Sequence, residues 1–191
     1  MDNAPAEQLA TLQALIASDH ARMRVLRLVK DLALADCWVA AGFVRSAVWD
    51  YQHRLDISPL PDDIDVVWYD KESTASERDT ALEAALRLQD ESLAWSVKNQ
   101  ARMHLRNDDS PYRSATDAMR HWPETATAVA VRLGQQDVVE VAAPFGLDDL
   151  FNLIVRPTPR FMTDKRSIYL DRVRAKDWQA TWPKLRIDTP H

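Results

Sequence analysis

Two aspartates, Asp63 and Asp65, stand in the run Pro61-Asp62-Asp63-Ile64-Asp65-Val66-Val67. Side chains of an extended segment alternate in direction, so these two carboxylates share one face with Cα atoms about 6.6 Å apart. Like charges at that spacing repel, and packing offers no reason for them; a shared divalent cation does. Hard carboxylate oxygens suit Mg2+ or Mn2+. Mg2+ in particular is commonly held by one or two carboxylates together with substrate phosphates. Two such ions about 4 Å apart clamp the attacking and leaving oxygens of an in-line phosphoryl displacement. Taken alone, Asp-x-Asp also fits a solvent-exposed strand or turn.

Gly42 lies twenty-one residues before Asp63, in Ala41-Gly42-Phe43-Val44-Arg45-Ser46-Ala47. This segment reads as a strand-to-helix turn. A glycine there turns the chain tightly and lets backbone approach a phosphate, the N–H groups of the following helix are donors, and Arg45 and Ser46 add a charge and a hydroxyl. In the blander reading Gly42 only turns the chain and Arg45 reaches solvent. Glycines occur at 42, 134 and 146 only, so neither a dinucleotide fingerprint nor a P-loop can be assembled.

The elements that must position these residues follow from periodicity. Leu9, Leu12, Leu15 and Ile16, then Met23, Leu26, Val29 and Leu32, recur every three to four residues and predict an N-terminal helical pair within residues 1–36. Cys37 to Ala41 is a short buried strand, and a helix runs from about Phe43 to His53. Asp63 to Tyr69 alternates as a strand. Ser76, with Asp79 three residues on, caps a helix carrying Leu82, Leu86 and Leu88. Trp95 to His104 alternates again, placing Lys98, Arg102 and His104 on one polar face, where they either meet phosphate or face solvent. After a short helix over 114–121, the runs Thr127–Leu133 and Val138–Ala143 predict a hairpin around Gly134, with Val138, Glu140 and Ala142 on one face. A basic helix over 160–182 closes the chain. The fold class is α+β, a mixed central sheet flanked by helices in a single domain over 1–191.

The chain has 191 residues and a net charge of −5. Residues 151–191 carry nine Lys and Arg against four Asp, a net of +5 that leaves −10 for residues 1–150. That basic tail meets either an anionic ligand or the acidic body. The lone Cys37 excludes an internal disulfide and a cysteine-rich zinc site, and the histidines have no metal-ligand spacing. With no signal-like N-terminus and no long apolar run, a cytoplasmic protein without membrane contact is expected. The tryptophans read as packing residues, and no interleaving of basic and aromatic residues marks a nucleic-acid groove.

Gly42-Phe43-Val44-Arg45 followed by Asp63-Ile64-Asp65-Val66-Val67 resembles the head of polymerase-β-like nucleotidyltransferases, among them the tRNA-terminus-adding enzymes and poly(A) polymerases. Further blocks are similar to those of a compact bacterial nucleotidyltransferase family: Ser96 to His104, Trp122 to Ala128, Ala143 to Phe151 and Arg156 to Pro159. Together they cover most of the chain from Trp38 onward. The resemblance implies a polymerase-β-like fold with Asp63 and Asp65 as metal ligands and Gly42 to Ser46 facing a triphosphate. The superfamily's third carboxylate, on a later adjacent strand, has its best match in Glu140, which is otherwise an ordinary strand glutamate. Ser46 stands where the tRNA-terminus-adding group has an acid, and Ala41 where it has a first glycine.

The resulting expectation is a Mg2+- or Mn2+-dependent enzyme that moves NMP from an NTP to an acceptor and releases pyrophosphate. Its catalytic set would be Asp63, Asp65 and Glu140, with Gly42, Arg45, Ser46, Lys98 and Arg102 on the nucleotide. A small-molecule acceptor is favoured over nucleic acid because the chain has no room for a large RNA-binding domain. The alternatives are a catalytically silent nucleotide- or metal-binding regulatory module of the same fold, and an interaction domain that dimerises through the N-terminal helices.

Overall fold

A computed structural model describes residues 4–189. The predicted N-terminal pair is α1 (Ala4–Ser18) and α2 (His20–Lys30), separated at Asp19, whose side chain caps α2 by accepting from the Arg22 amide at 3.0 Å. There follow β1 (Trp38–Ala40), α3 (Gly42–His53), β2 (Asp63–Trp68), α4 (Ser76–Gln89) and β3 (Ala94–Asn99). Next come α5 (Met103–Asn107), α6 (Ala115–Met119), β4 (Ala130–Leu133) and β5 (Val139–Ala142). The chain closes with α7 (Asp148–Phe151), β6 (Ile154–Val155), α8 (Pro159–Met162), α9 (Arg166–Lys176), α10 (Trp178–Thr181) and β7 (Arg186–Ile187).

Five strands form a mixed sheet in the order β3-β2-β1-β4-β5, with β2 and β3 parallel and the other neighbours antiparallel. Period-two burial gives the sheet two unlike faces. Val39, Ile64, Val66, Val97 and Val131 point to one side and form the main core with α1, α2, α3 and α4. Asp63, Asp65 and Val67 point to the other. There the register lines up Ser96, Asp65, Ala40, Ala130 and Ala142 across all five strands. Ala40, Ala130 and Ala142 beside Asp65 are buried in a second, smaller cluster with Trp38, Val67, Ala115 and Met119, so the open part of this face is at Asp63 and Asp65.

Several sequence expectations are corrected here. The strand beginning at Trp95 stops at Asn99, because the Asn99 side chain accepts from the Ala101 amide and turns the chain into a 3-10 segment and α5. Arg102 and His104 therefore do not share a strand face with Lys98. Helix α4 begins after Ala75 with no side-chain cap; Asp79 is buried instead, accepting from Trp68 Nε1 at 2.8 Å and the Asn99 amide at 3.0 Å. The basic helix breaks at Asp177, whose φ of 41° folds Trp178 and Trp182 back onto Trp49. A two-stranded parallel pair, β6 with β7, then ties down the C-terminal segment; nothing in the residue pattern marks it.

Candidate active site

Asp63 is exposed and Asp65 half-buried at the start of β2, both on the open face. They sit at the mouth of a cleft of 670 Å³ that runs between the start of α3, the loop before β2 and the α9–α10 corner. Gly42, Arg45, Ser46, Arg172 and Lys176 line the same cleft. Burial and the neighbouring Asp63 charge push the Asp65 carboxyl above the usual carboxylate range, against a hydrogen bond from Ser96 and the attraction of Arg45 and Arg172. The pair is thus held close in spite of its repulsion, which is the condition a bound divalent cation relieves. Among the described residues no group of three or more His, Cys, Asp or Glu side chains is placed to hold a metal. Two carboxylates leave the remaining ligand positions of a hard cation to phosphate and water, which fits Mg2+.

The turn into α3 is not built as the glycine reading expects. Ala41, not Gly42, takes the positive φ, at 53° with ψ of −119°. Its amide donates to the Val129 carbonyl at 2.9 Å and its carbonyl accepts from the Val44 and Arg45 amides, which fixes the strained residue between β1 and α3. Gly42 is the first helical residue. A Cβ there would meet Pro61 at 3.5 Å and Arg45 Nη2 at 3.7 Å, so the missing side chain opens the cleft between α3 and the loop before Asp63.

Arg45 is only 7% exposed. Its guanidinium lies between two indoles, 4.9 Å from the Trp49 ring centroid and 4.6 Å from that of Trp178, and donates from Nη1 to Thr127 Oγ1 at 2.9 Å. Burial pulls its pKa down to about 10, opposed chiefly by Glu124. Glu124 is wholly buried and accepts from Arg172 Nε at 2.7 Å, and Arg172 also lines the cleft. Sequence reasoning missed Glu124, Arg172 and Trp178. The Trp122–Ala128 block contains Glu124, but only the return of the broken C-terminal helix brings Arg172 and Trp178 beside it.

The structure does not bring the other predicted residues to this cleft. Glu140 shares the open face with Asp65 but lies on β5, three strands from β2, a lateral separation of about 14 Å at ordinary strand spacing. Mg2+–oxygen distances near 2 Å make a shared ion impossible. The strands beside β2 are β3 and β1, and the β4–β5 hairpin is placed beyond β1. Glu140 instead accepts from Arg132 Nε at 2.7 Å, while Arg132 stacks 4.2 Å from the Trp38 ring centroid, and the absent side chain of Gly134 makes room for the carboxylate. Arg102 is drawn to the buried carboxylate of Asp79. Lys98 pairs with Glu83 at 2.6 Å and lines a smaller neighbouring cleft on the other side of Asp65.

Residues 27–187 match a protein-family model described as Nucleotidyltransferase. The chain belongs to this family. It also aligns over 93% of its length, with a TM-score of 0.81 and 34% identity, to 94% of a chain described as revealing a CCA-adding enzyme head domain by NMR. Two larger structures share the fold at lower identity. The Thermotoga maritima CCA-adding enzyme complexed with tRNA gives a TM-score of 0.59 at 16% identity, over 93% of this chain and 42% of that one. A CCA-adding enzyme in complex with CTP gives 0.57 at 17%, over 96% and 43%. This chain thus spans under half the length of those two enzymes. No curated protein sequence matches it. No helix among its described residues is long and apolar enough to cross a membrane.

Proposed function

We propose that this nucleotidyltransferase transfers the nucleoside monophosphate of an NTP to the hydroxyl of a small acceptor and releases pyrophosphate. The observation that carries the reading is the charge layout of one cleft: Asp63 and Asp65 at its mouth, and Arg45, Arg172 and Lys176 behind Gly42. Divalent cations held between the two carboxylates and the triphosphate would neutralise charge at the α-phosphate and sharpen the acceptor oxygen as a nucleophile.

The protein's own groups bind and align. Arg45 is held between two indoles and bonded to Thr127, so its orientation is set before substrate arrives, and preorganised charge is what stabilises a transition state that gathers negative oxygens. Arg172, fixed through Nε by Glu124, offers its terminal nitrogens to the phosphates. Lys176 adds a flexible charge at the exposed rim, and Ser46 a hydroxyl beside the first turn of α3. The acceptor oxygen attacks the α-phosphorus, the bond to the bridging oxygen of the leaving pyrophosphate breaks, and the acceptor proton passes to water. Holding both reactants in line accounts for much of the rate.

Pyrophosphate release, measured with each NTP, Mg2+ and a panel of hydroxyl acceptors, tests the reading. Wild type should release pyrophosphate and Asp63→Ala should lose at least 100-fold in rate. Equal rates would remove the carboxylate pair from the chemistry, and nucleotide binding without release would mark a silent binding module.

A further inference from the structure

Asp65 borders two clefts, and the second has a different chemistry. It lies on the open face of the sheet, has a volume of 260 Å³, and is lined by Ser96, Lys98, Met103, Asn107 and Trp122 together with Asp65 itself. Asp63 lines only the larger cleft. The two clefts meet at Asp65, Ala41 and Arg172, so a group in the smaller one approaches the carboxylate from the side away from Gly42 and Lys176.

We infer that this smaller cleft is the acceptor site and that it takes a small, uncharged hydroxyl compound with a planar or apolar face. The inference rests on the transferase reading above and goes further, to the acceptor's chemical class. Its support is the state of the cations. The larger cleft offers Arg45, whose Nε is buried without a partner, and the exposed Lys176. The smaller cleft has two cations, both already paired: Arg172, shared with the larger cleft, donates from Nε to Glu124 at 2.7 Å, and Lys98 pairs with Glu83 at 2.6 Å, the same Glu83 oxygen also accepting from the Val97 amide at 2.9 Å. An RNA end needs free Lys or Arg along its phosphates and successive aromatic platforms. Here the half-buried Trp122 and Met103 supply one apolar wall, and Asn107 and Ser96 supply neutral polar groups, the composition of a small-molecule site.

Two arms test this. In the first, wild-type protein with Mg2+ and α-labelled NTP is offered adenosine, a methyl glycoside, and a short single-stranded RNA ending in a free 3′-hydroxyl. Label on a neutral small compound and none on the RNA is expected. Label on the RNA, or on neither small compound, overturns the inference. In the second, Met103→Trp fills the smaller cleft and Leu105→Trp alters an exposed position of the same helix. Met103→Trp should cut transfer at least tenfold with NTP affinity within twofold of wild type, while Leu105→Trp leaves both unchanged. Full transfer by Met103→Trp overturns the inference. A wild-type protein that binds no Mg2+–NTP overturns the transferase reading itself.

Discussion

Ala41 carries strain that a single substitution measures. A non-glycine residue at φ of 53° and ψ of −119° costs on the order of 1–3 kcal/mol. Replacement by glycine removes that cost and adds roughly 0.5–1 kcal/mol of unfolded-state entropy. Ala41→Gly should therefore stabilise the protein by about 1 kcal/mol in urea titrations, and no gain would show the turn to be relaxed. Asp65 gives a second residue-scale test. Its carboxyl is raised from the ordinary 3.8 by burial and by Asp63, so the folded state holds its proton to higher pH than the unfolded chain. Without divalent cations, stability must then fall as pH rises from about 4 through the raised value. Asp65→Asn should be the more stable protein at pH 7.5 by about 0.5–2 kcal/mol, the usual yield of a single stabilising substitution. The difference should vanish near pH 3, and thermal melts at both pH values check it. The Asp63–Asp65 pair was legible from alternation alone because a strand has one period. The backbone of Ala41 was not, because alanine advertises nothing about a positive φ that the β1–α3 junction imposes.

Elements place the aspartates through a residue that no motif marks. Arg22 of α2 is 1% exposed and donates from Nε to the Phe43 carbonyl at 3.1 Å, from Nη1 to the Ser58 carbonyl at 3.0 Å and from Nη2 to the Pro59 carbonyl at 3.1 Å. It also pairs with Asp19. One guanidinium thus ties α2, the first turn of α3 and the loop leading to Asp63 together. Arg22→Ala leaves three carbonyls without their donor, that of Phe43 buried and those of Ser58 and Pro59 part-buried, and should cost about 3 kcal/mol, seen as a lower urea midpoint at unchanged slope. Arg22→Lys should recover little of it, since one ammonium cannot reproduce the planar fork. A variant as stable as wild type would show that the loop holds itself. In the sequence Arg22 looks like one more surface residue of an amphipathic helix. Strand order was equally hidden: period-two patterning puts Glu140 on a face, but only the pairing of β4 with β1 puts it at the edge away from β2.

Across the whole molecule the uneven charge acquires a meaning. The basic C-terminal segment answers the acidic body in part, through Arg156 with Asp149, Arg160 with Asp109 and Arg172 with Glu124. Two of its cations, Arg172 and Lys176, line one cleft with Asp63 and Asp65. The chain's net charge of −5 repels a polyanion at long range. The central claim is that this opposition of charges binds a metal-chelated triphosphate, and calorimetric titration of Mg2+–NTP into wild type and Asp63→Ala tests it most directly. Saturable binding by the wild type in Mg2+, lost on chelation and weakened at least tenfold in Asp63→Ala, is the predicted result. Equal affinity in the two proteins, or binding indifferent to Mg2+, would contradict it.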